Sequence, residues 1–300
     1  MEEIELQAHG KINLALDVLT KRSNGYHDVR MIMQSVELSD TVLLRREKHA
    51  GIRLRCTDSS LPTDRRNLMV KAAELLFREF SLEGGLYMEL HKRLPVSAGM
   101  AGGSTDAAAV LTGLNLLFSL SLKEKELEKR AVQLGADIPF CLHRGTYLAE
   151  GIGEKLTKLP SLPPCCMILV KPRFSLSTKV IYEELDGKDG SMLSHPDVES
   201  ILHALDTGDL KEICSYGGNV LEAVSIPMQP EIQRIKDFFL EKGALLSLMS
   251  GSGPTVFSIF PKDEQHRAEG LIEELKSSTL SPLLENVQLS FPIQEEGSCS

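Results

Sequence analysis

From Ile12 to Val18 the apolar residues fall on every second position. Ile12, Leu14, Leu16 and Val18 face one way, and Lys11, Asn13 and Asp17 the other. A period of two is that of a half-buried β-strand with a polar face. Ser23-Asn24-Gly25 has the composition of a turn. Met31–Leu38, Thr41–Arg46, Ile52–Cys56 and Leu86–His91 read as further strands. Between Asn67 and Phe80 the apolar spacing changes to that of a helix (Leu68, Ala72, Leu75, Leu76), with Asp64 or Asn67 as its N-cap. A glycine-rich loop from Leu94 to Gly103 leads into a helix over Ser104–Phe118. A second helix, Lys123–Leu134, stops at Gly135. Strands and helices do not alternate strictly, so the pattern is α+β rather than βαβ.

The strongest linker signal is Leu159-Pro160-Ser161-Leu162-Pro163-Pro164. After it come a strand (Cys165–Lys171), helices near Ser177–Leu185, Pro196–Leu205 and Glu231–Lys242, and strands at Leu245–Met249 and Thr255–Phe260. A helix over Lys262–Lys276 and a strand over Val287–Pro292 close the chain. The expected organisation is two α+β domains, 1–157 and 158–300, which suits a length of 300 residues.

Composition narrows the function classes. Apolar residues make up 42% and charged residues 25%, as in ordinary globular proteins. No apolar run approaches the roughly 20 residues that span a bilayer. Met1-Glu2-Glu3-Ile4-Glu5 has neither the basic nor the apolar region of a signal peptide, so a cytoplasmic protein without a membrane partner is expected. The formal net charge of −9, from 33 basic and 42 acidic residues, speaks against general nucleic-acid binding. It leaves open an anionic small molecule held by a local site. The six cysteines (Cys56, Cys141, Cys165, Cys166, Cys214, Cys299) form no C-x-x-C pair, and Cys165-Cys166 in an apolar run read as small buried hydrophobes.

Four segments carry candidate chemistry. In Leu94 to Ala108, small residues between a strand and a helix let backbone N–H groups approach an anion, and the helix start adds unpaired donors. Ser104 and Thr105 would cap that helix or reach a metal-bound phosphate. No Gly-Lys-Ser/Thr follows, so this is not a Walker A loop; tight packing on a sheet is the plainer alternative. Met249-Ser250-Gly251-Ser252-Gly253-Pro254-Thr255 is a second glycine turn, explicable as hairpin chemistry alone. Lys11 and Asn13 share one strand face, where solvated side chains are the ordinary case. Asp137, in Gly135-Ala136-Asp137-Ile138-Pro139-Phe140, is either a turn residue or a site carboxylate that orients a hydroxyl or takes its proton. Gly25-Tyr26-His27 makes a compact aromatic and imidazole turn.

Taken in order, Lys11-Ile12-Asn13-Leu14, Leu94 to Ala108, Gly135-Ala136-Asp137-Ile138-Pro139 and Gly251-Ser252-Gly253-Pro254-Thr255 resemble the GHMP kinases, over about residues 8 to 260. That resemblance implies a two-domain fold, each domain a mixed or antiparallel sheet with helices, and an active site in the cleft between them. It implies ATP and Mg2+. Pro95, Val96, Ser97, Ala98, Gly99, Met100, Ala101, Gly102, Gly103, Ser104 and Thr105 would wrap the phosphates, and Asn67 would lie near the adenine. Asp137 would hold or deprotonate the acceptor hydroxyl, with Lys11 beside it and Asn13 placing the substrate. No metal ligand is assigned. Asn24-Gly25-Tyr26-His27 is similar to the branch whose acceptor is a cytidine diphosphate-linked methylerythritol, phosphorylated at its 2-hydroxyl in the non-mevalonate isoprenoid route. Tyr26 and His27 would read the cytosine, with Tyr182 as a second wall. The alternatives are a GHMP kinase of the homoserine or mevalonate type, whose acceptor offers no base to that turn, and a catalytically silent relative, against which Lys11 and Asp137 speak.

Overall fold

The computed structural model describes residues 2–190 and 193–294; Cys299 lies outside them. Two compact units alternate along the chain. One comprises the described residues up to Gly10, with Leu38–Val96 and Ala101–His143. The other comprises Lys11–Glu37, Ser97–Met100 and the described residues from Arg144 onward. Two long strands, β1 (Glu3–Lys21) and β2 (His27–Glu47), contribute to both.

In the first unit, the Thr41–Glu47 stretch of β2 pairs antiparallel with β4 (Gly85–His91), and β4 pairs parallel with β3 (Gly51–Cys56). Four helices complete it: α1 (Leu68–Glu79), α2 (Gly102–Leu117), α3 (Glu124–Ala131) and α4 (Ile138–Cys141). Val42 and Leu44 from β2, Met88 from β4, Met69 and Leu76 from α1, and Val110 and Leu114 from α2 form its core. Fully burying such side chains is worth about 1.5–3 kcal/mol each.

In the second unit, Met31–Gln34 of β2 pairs with β5 (Thr146–Glu150), and β5 with β6 (Lys155–Lys158). A four-stranded antiparallel sheet is built from β7 (Cys165–Pro172), β9 (Leu246–Met249), β10 (Val256–Pro261) and β11 (Leu284–Ser290), in the order β11-β7-β10-β9. The short β8 (Gly218–Asn219) pairs parallel with Ala15 and Leu16 of β1. The helices are α5 (Thr178–Asp186), α6 (Val198–Thr207), α7 (Leu210–Ser215), α8 (Glu222–Met228), α9 (Glu231–Glu241) and α10 (Gln265–Ser277). Cys165 and Cys166 are buried on β7, where desolvation pushes both thiols above their usual range. Among the described residues no helix is long and apolar enough to cross a membrane.

Several elements differ from their sequence pattern. Residues 31–38 and 41–46 belong to one strand, because Ser39 and Asp40 continue it while buried. The polar side of β1 is buried as well: Lys11, Asn13 and Asp17 are all inside. Helix α2 starts at Gly102, two residues before Ser104, because Ala101 takes a left-handed conformation and forms the cap. Helix α3 ends at Ala131. The strands β5, β6 and β8 and the helices α4, α7 and α8 had no clear signal, being short.

Candidate active site

The glycine-rich loop has an alternating backbone. Ser97, Gly99 and Ala101 have positive φ (51°, 75° and 60°), and Ala98 and Met100 do not. Such alternation turns successive amides toward one side and forms an anion-binding nest. The loop runs into α2, whose first amides have no acceptor inside the helix. The capping residue, Ala101, has no side chain to satisfy them. The expected side-chain cap is therefore absent: Thr105 Oγ1 donates instead to the His9 carbonyl at 2.6 Å.

In the second unit, the loop segment 97–100 rests on the turn between β9 and β10. Ser250 Oγ donates to the Gly99 carbonyl at 2.9 Å, and the Thr255 amide to the Ala98 carbonyl at 3.3 Å. A Cβ on Gly99 would overlap the Ser250 carbonyl oxygen, so only glycine permits this approach. Lys11 lies alongside. Its amide donates to Met100 at 3.2 Å, and its Nζ donates to Asn13 Oδ1 at 2.7 Å. Asn13 Nδ2 in turn meets Met31 Sδ at 3.4 Å. Two residues that the sequence did not mark hold the turn. Asn219 Nδ2 donates to the Met249 and Gly251 carbonyls, both at 2.7 Å, and Glu222 Oε1 accepts the Met249 amide at 2.7 Å. An N-x-x-E spacing at the start of a short helix is too ordinary to stand out.

In the first unit, a buried trio ties the base of the loop to α2. Asp40 accepts the Arg93 and Leu94 amides at 2.5 and 2.8 Å and Lys92 Nζ at 2.5 Å. Lys92 Nζ also reaches Asp106 Oδ2 at 3.2 Å. Burial raises the Asp106 pKa well above the carboxylate range. Burial opposes the Lys92 ammonium, but Asp106 and Asp40 outweigh it and hold its pKa up. Asn67 caps α1, its Oδ1 accepting the Met69 amide at 2.9 Å and its Nδ2 donating to Pro62 at 2.8 Å. Its amide is thus committed to the helix start. Asp137, half-buried, precedes α4; its carboxylate caps none of that helix's amides.

The turn between β1 and β2 is braced from several directions, all within the second unit. The Arg22 amide donates to the Tyr26 carbonyl at 2.7 Å, and Asn24 Oδ1 accepts the Tyr26 amide at 3.1 Å. Arg22 also grips Asp28 with Nε and Nη2, which lowers the Asp28 pKa. The His27 ring lies 5.0 Å from that of Tyr182 on α5.

Comparison with known proteins places the chain in a family. The model for the GHMP kinase N-terminal domain matches residues 67–145, and that for the C-terminal domain matches 201–279. The chain belongs to the GHMP kinases. The 4-diphosphocytidyl-2-C-methyl-D-erythritol kinase of Lachnospira eligens is 50% identical to this GHMP kinase over 265 residues, 88% of this chain and 91% of the relative. The enzyme of the same name from Listeria monocytogenes serotype 4a is 45% identical over 257 residues, 86% and 87% of the two chains. A crystal structure of 4-(cytidine 5'-diphospho)-2C-methyl-D-erythritol kinase superposes with a TM-score of 0.80 at 29% identity, over 97% of this GHMP kinase and all of that chain. Homoserine kinase from Cytophaga hutchinsonii shares the fold, with a TM-score of 0.76 at 20% identity over 98% and 96% of the two chains.

Proposed function

We propose that this GHMP kinase transfers the γ-phosphoryl group of ATP to the 2-hydroxyl of 4-diphosphocytidyl-2-C-methyl-D-erythritol, in the cytoplasm. The observation that carries phosphoryl transfer is the left-handed alternation at Ser97, Gly99 and Ala101 running into an uncapped helix. Fixed backbone donors suit a reaction that needs positioning and charge neutralisation more than covalent help. The acceptor is supported by relatives of that name at 45–50% identity over most of both chains, and by the braced turn that presents Tyr26.

Each residue then has a role. The loop Pro95 to Thr105 wraps the triphosphate; Pro95 has no N–H to give and the Thr105 amide closes the first helical bond on Ala101, so the amides between them are the donors. Asp137 orients the acceptor hydroxyl or takes its proton, and Lys11 stabilises the alkoxide as charge develops. Asn13 fixes the Lys11 ammonium and lines the acceptor side. Tyr26, His27 and Tyr182 serve the cytidine end, and Asn67 shapes the adenine side through the start of α1. In this reading the two family domains divide at 157/158, a position outside both matched segments.

Mg2+ enters with ATP as part of the substrate. The orphaned buried oxygen nearest the helix start, Asp106 Oδ1, does not suit the ion, because the other oxygen of that carboxyl faces the Lys92 ammonium. A divalent cation that keeps its waters and binds phosphate oxygens needs few protein ligands, and no step is assigned to one here. The test is ADP release with MgATP and three acceptors offered separately: the diphosphocytidyl methylerythritol, mevalonate and homoserine. Turnover confined to the first supports the reading, and preference for either of the others overturns it.

A further inference from the structure

Helix α5 presents two side chains to one ring. Tyr182 and Asp186 are four residues apart and so share a helix face. Asp186 Oδ1 lies 2.7 Å from His27 Nε2, and the Tyr182 ring lies 5.0 Å from the imidazole at an interplanar angle of 41°. The second oxygen, Asp186 Oδ2, accepts Lys21 Nζ at 2.6 Å. Both bonds lower the Asp186 pKa, that from Lys21 most. Gripped in this way, the His27 side chain is only 8% exposed, whereas Tyr26 next to it is 54% exposed. The imidazole is therefore held as an anchor, and the turn offers a ligand the Tyr26 ring and its backbone. The far end of α5 is tied as well: Thr178 Oγ1 is 2.7 Å from Ser252 Oγ, on the glycine turn that supports Gly99.

We infer that Asp186 is a positioning residue for nucleobase recognition: by accepting a hydrogen bond from His27 Nε2–H it fixes the tautomer and pose of that ring, and so pre-forms the turn on which Tyr26 stacks the base. An ionised carboxylate can only accept, so Nε2 is the protonated nitrogen. A turn ordered before the ligand arrives spares binding the cost of ordering it. This inference rests on the cytidine-linked acceptor proposed above.

The experiment compares wild type, Asp186→Ala and Asp186→Asn. Kinetics give the KM for the cytidine-linked acceptor, the KM for ATP and kcat, and calorimetry gives the affinity for cytidine 5′-diphosphate without turnover. Asp186→Ala should raise the acceptor KM and weaken cytidine diphosphate about tenfold, the effect of one hydrogen bond to a charged group. The KM for ATP should move less than about twofold. Asp186→Asn, whose amide oxygen still accepts from Nε2–H, should recover most of the loss. Nitrogen NMR of the His27 ring should show a fixed Nε2–H tautomer in wild type and Asp186→Asn, and not in Asp186→Ala. An unchanged acceptor KM, or both KM values rising while kcat and the melting temperature fall, or no recovery in Asp186→Asn, overturns the inference. Wild type that binds cytidine diphosphate but does not phosphorylate the acceptor defeats the proposed function alone. Wild type that binds no cytidine diphosphate defeats both.

Discussion

Asp40 and Asp106 flank the same ammonium, yet the fold needs them unequally. Asp40 has no exposed surface and accepts three donors, two of them backbone amides. Asp106 meets Lys92 through one oxygen, and its Oδ1 is buried without a partner. Removing the Asp40 side chain leaves two buried amides unmatched and the Lys92 ammonium with Asp106 alone, so Asp40→Ala should cost about 3–5 kcal/mol in urea unfolding. Asp106→Asn should be at least as stable as wild type at pH 7.5. The sign follows from the raised Asp106 pKa, which desolvation dominates. The folded protein keeps a proton that the unfolded chain releases, so the contribution is full below the unfolded carboxylate pKa of about 4 and is lost as pH rises toward the folded value. The advantage of Asp106→Asn should therefore shrink on acidification; an advantage that grew would show that Asp106 is held ionised. The residues proposed for the chemistry should behave differently. Lys11→Ala and Asp137→Asn should each lower kcat about a hundredfold or more while ATP affinity stays within a few-fold. A rise in KM alone would make Lys11 a binding group only. Lys11, Asn13 and Asp137 stand out in the sequence because their neighbours do. Asp40 and Lys92 do not, since a polar residue in an apolar strand looks like a break until its partners, 50 or so residues away, are known.

The glycine loop shows which part of an element its composition reveals. Small residues between a strand and a helix mark the loop, but not which glycine the geometry requires. Gly102 and Gly103 belong to the ordinary first turn of α2. A Cβ on Gly103 would meet only Leu68 Cδ1, at 3.8 Å. Gly99 is the constrained position, with φ of 75° and the Ser250 carbonyl against it. A non-glycine residue in that conformation costs about 1–2 kcal/mol before any overlap. Gly99→Ala should therefore weaken ATP binding about tenfold or more in calorimetry, with the fold retained, and Gly103→Ala should change it by less than about threefold. Equal losses at both sites would return the loop to bulk exclusion alone. The same limit explains the strands. Alternation located β1 and β2, but burial of their polar side is decided by the elements packed there, so one strand over His27–Glu47 resembled two.

At the scale of the molecule, the order of motifs from residue 8 to 260 was legible, because a family keeps its chemistry in sequence order. The interleaving of the two units was not, since it depends on β1 and β2 being long enough to serve both. Net charge adds a constraint. At −9 the chain as a whole repels a triphosphate and a diphosphate-linked acceptor. Affinity must come from local donors and from the base; on the proposed reading Lys11 and the loop amides serve one end of the acceptor and ATP, and Tyr26 the other. The cytidine takes no part in bond making, so its binding energy serves to place the hydroxyl. Stacking on an aromatic side chain is worth about 1–3 kcal/mol per base. Tyr26→Ala should accordingly lower kcat/KM for the full acceptor about tenfold or more. Methylerythritol phosphate, which lacks the cytidine, should be a very poor substrate of wild type and should be hardly affected by Tyr26→Ala, because it never uses that ring. The measurement is kcat/KM for both compounds on both proteins. If wild type phosphorylates the truncated compound as well as the full one, the turn has no part in acceptor choice, and a general small-alcohol kinase replaces the cytidine reading.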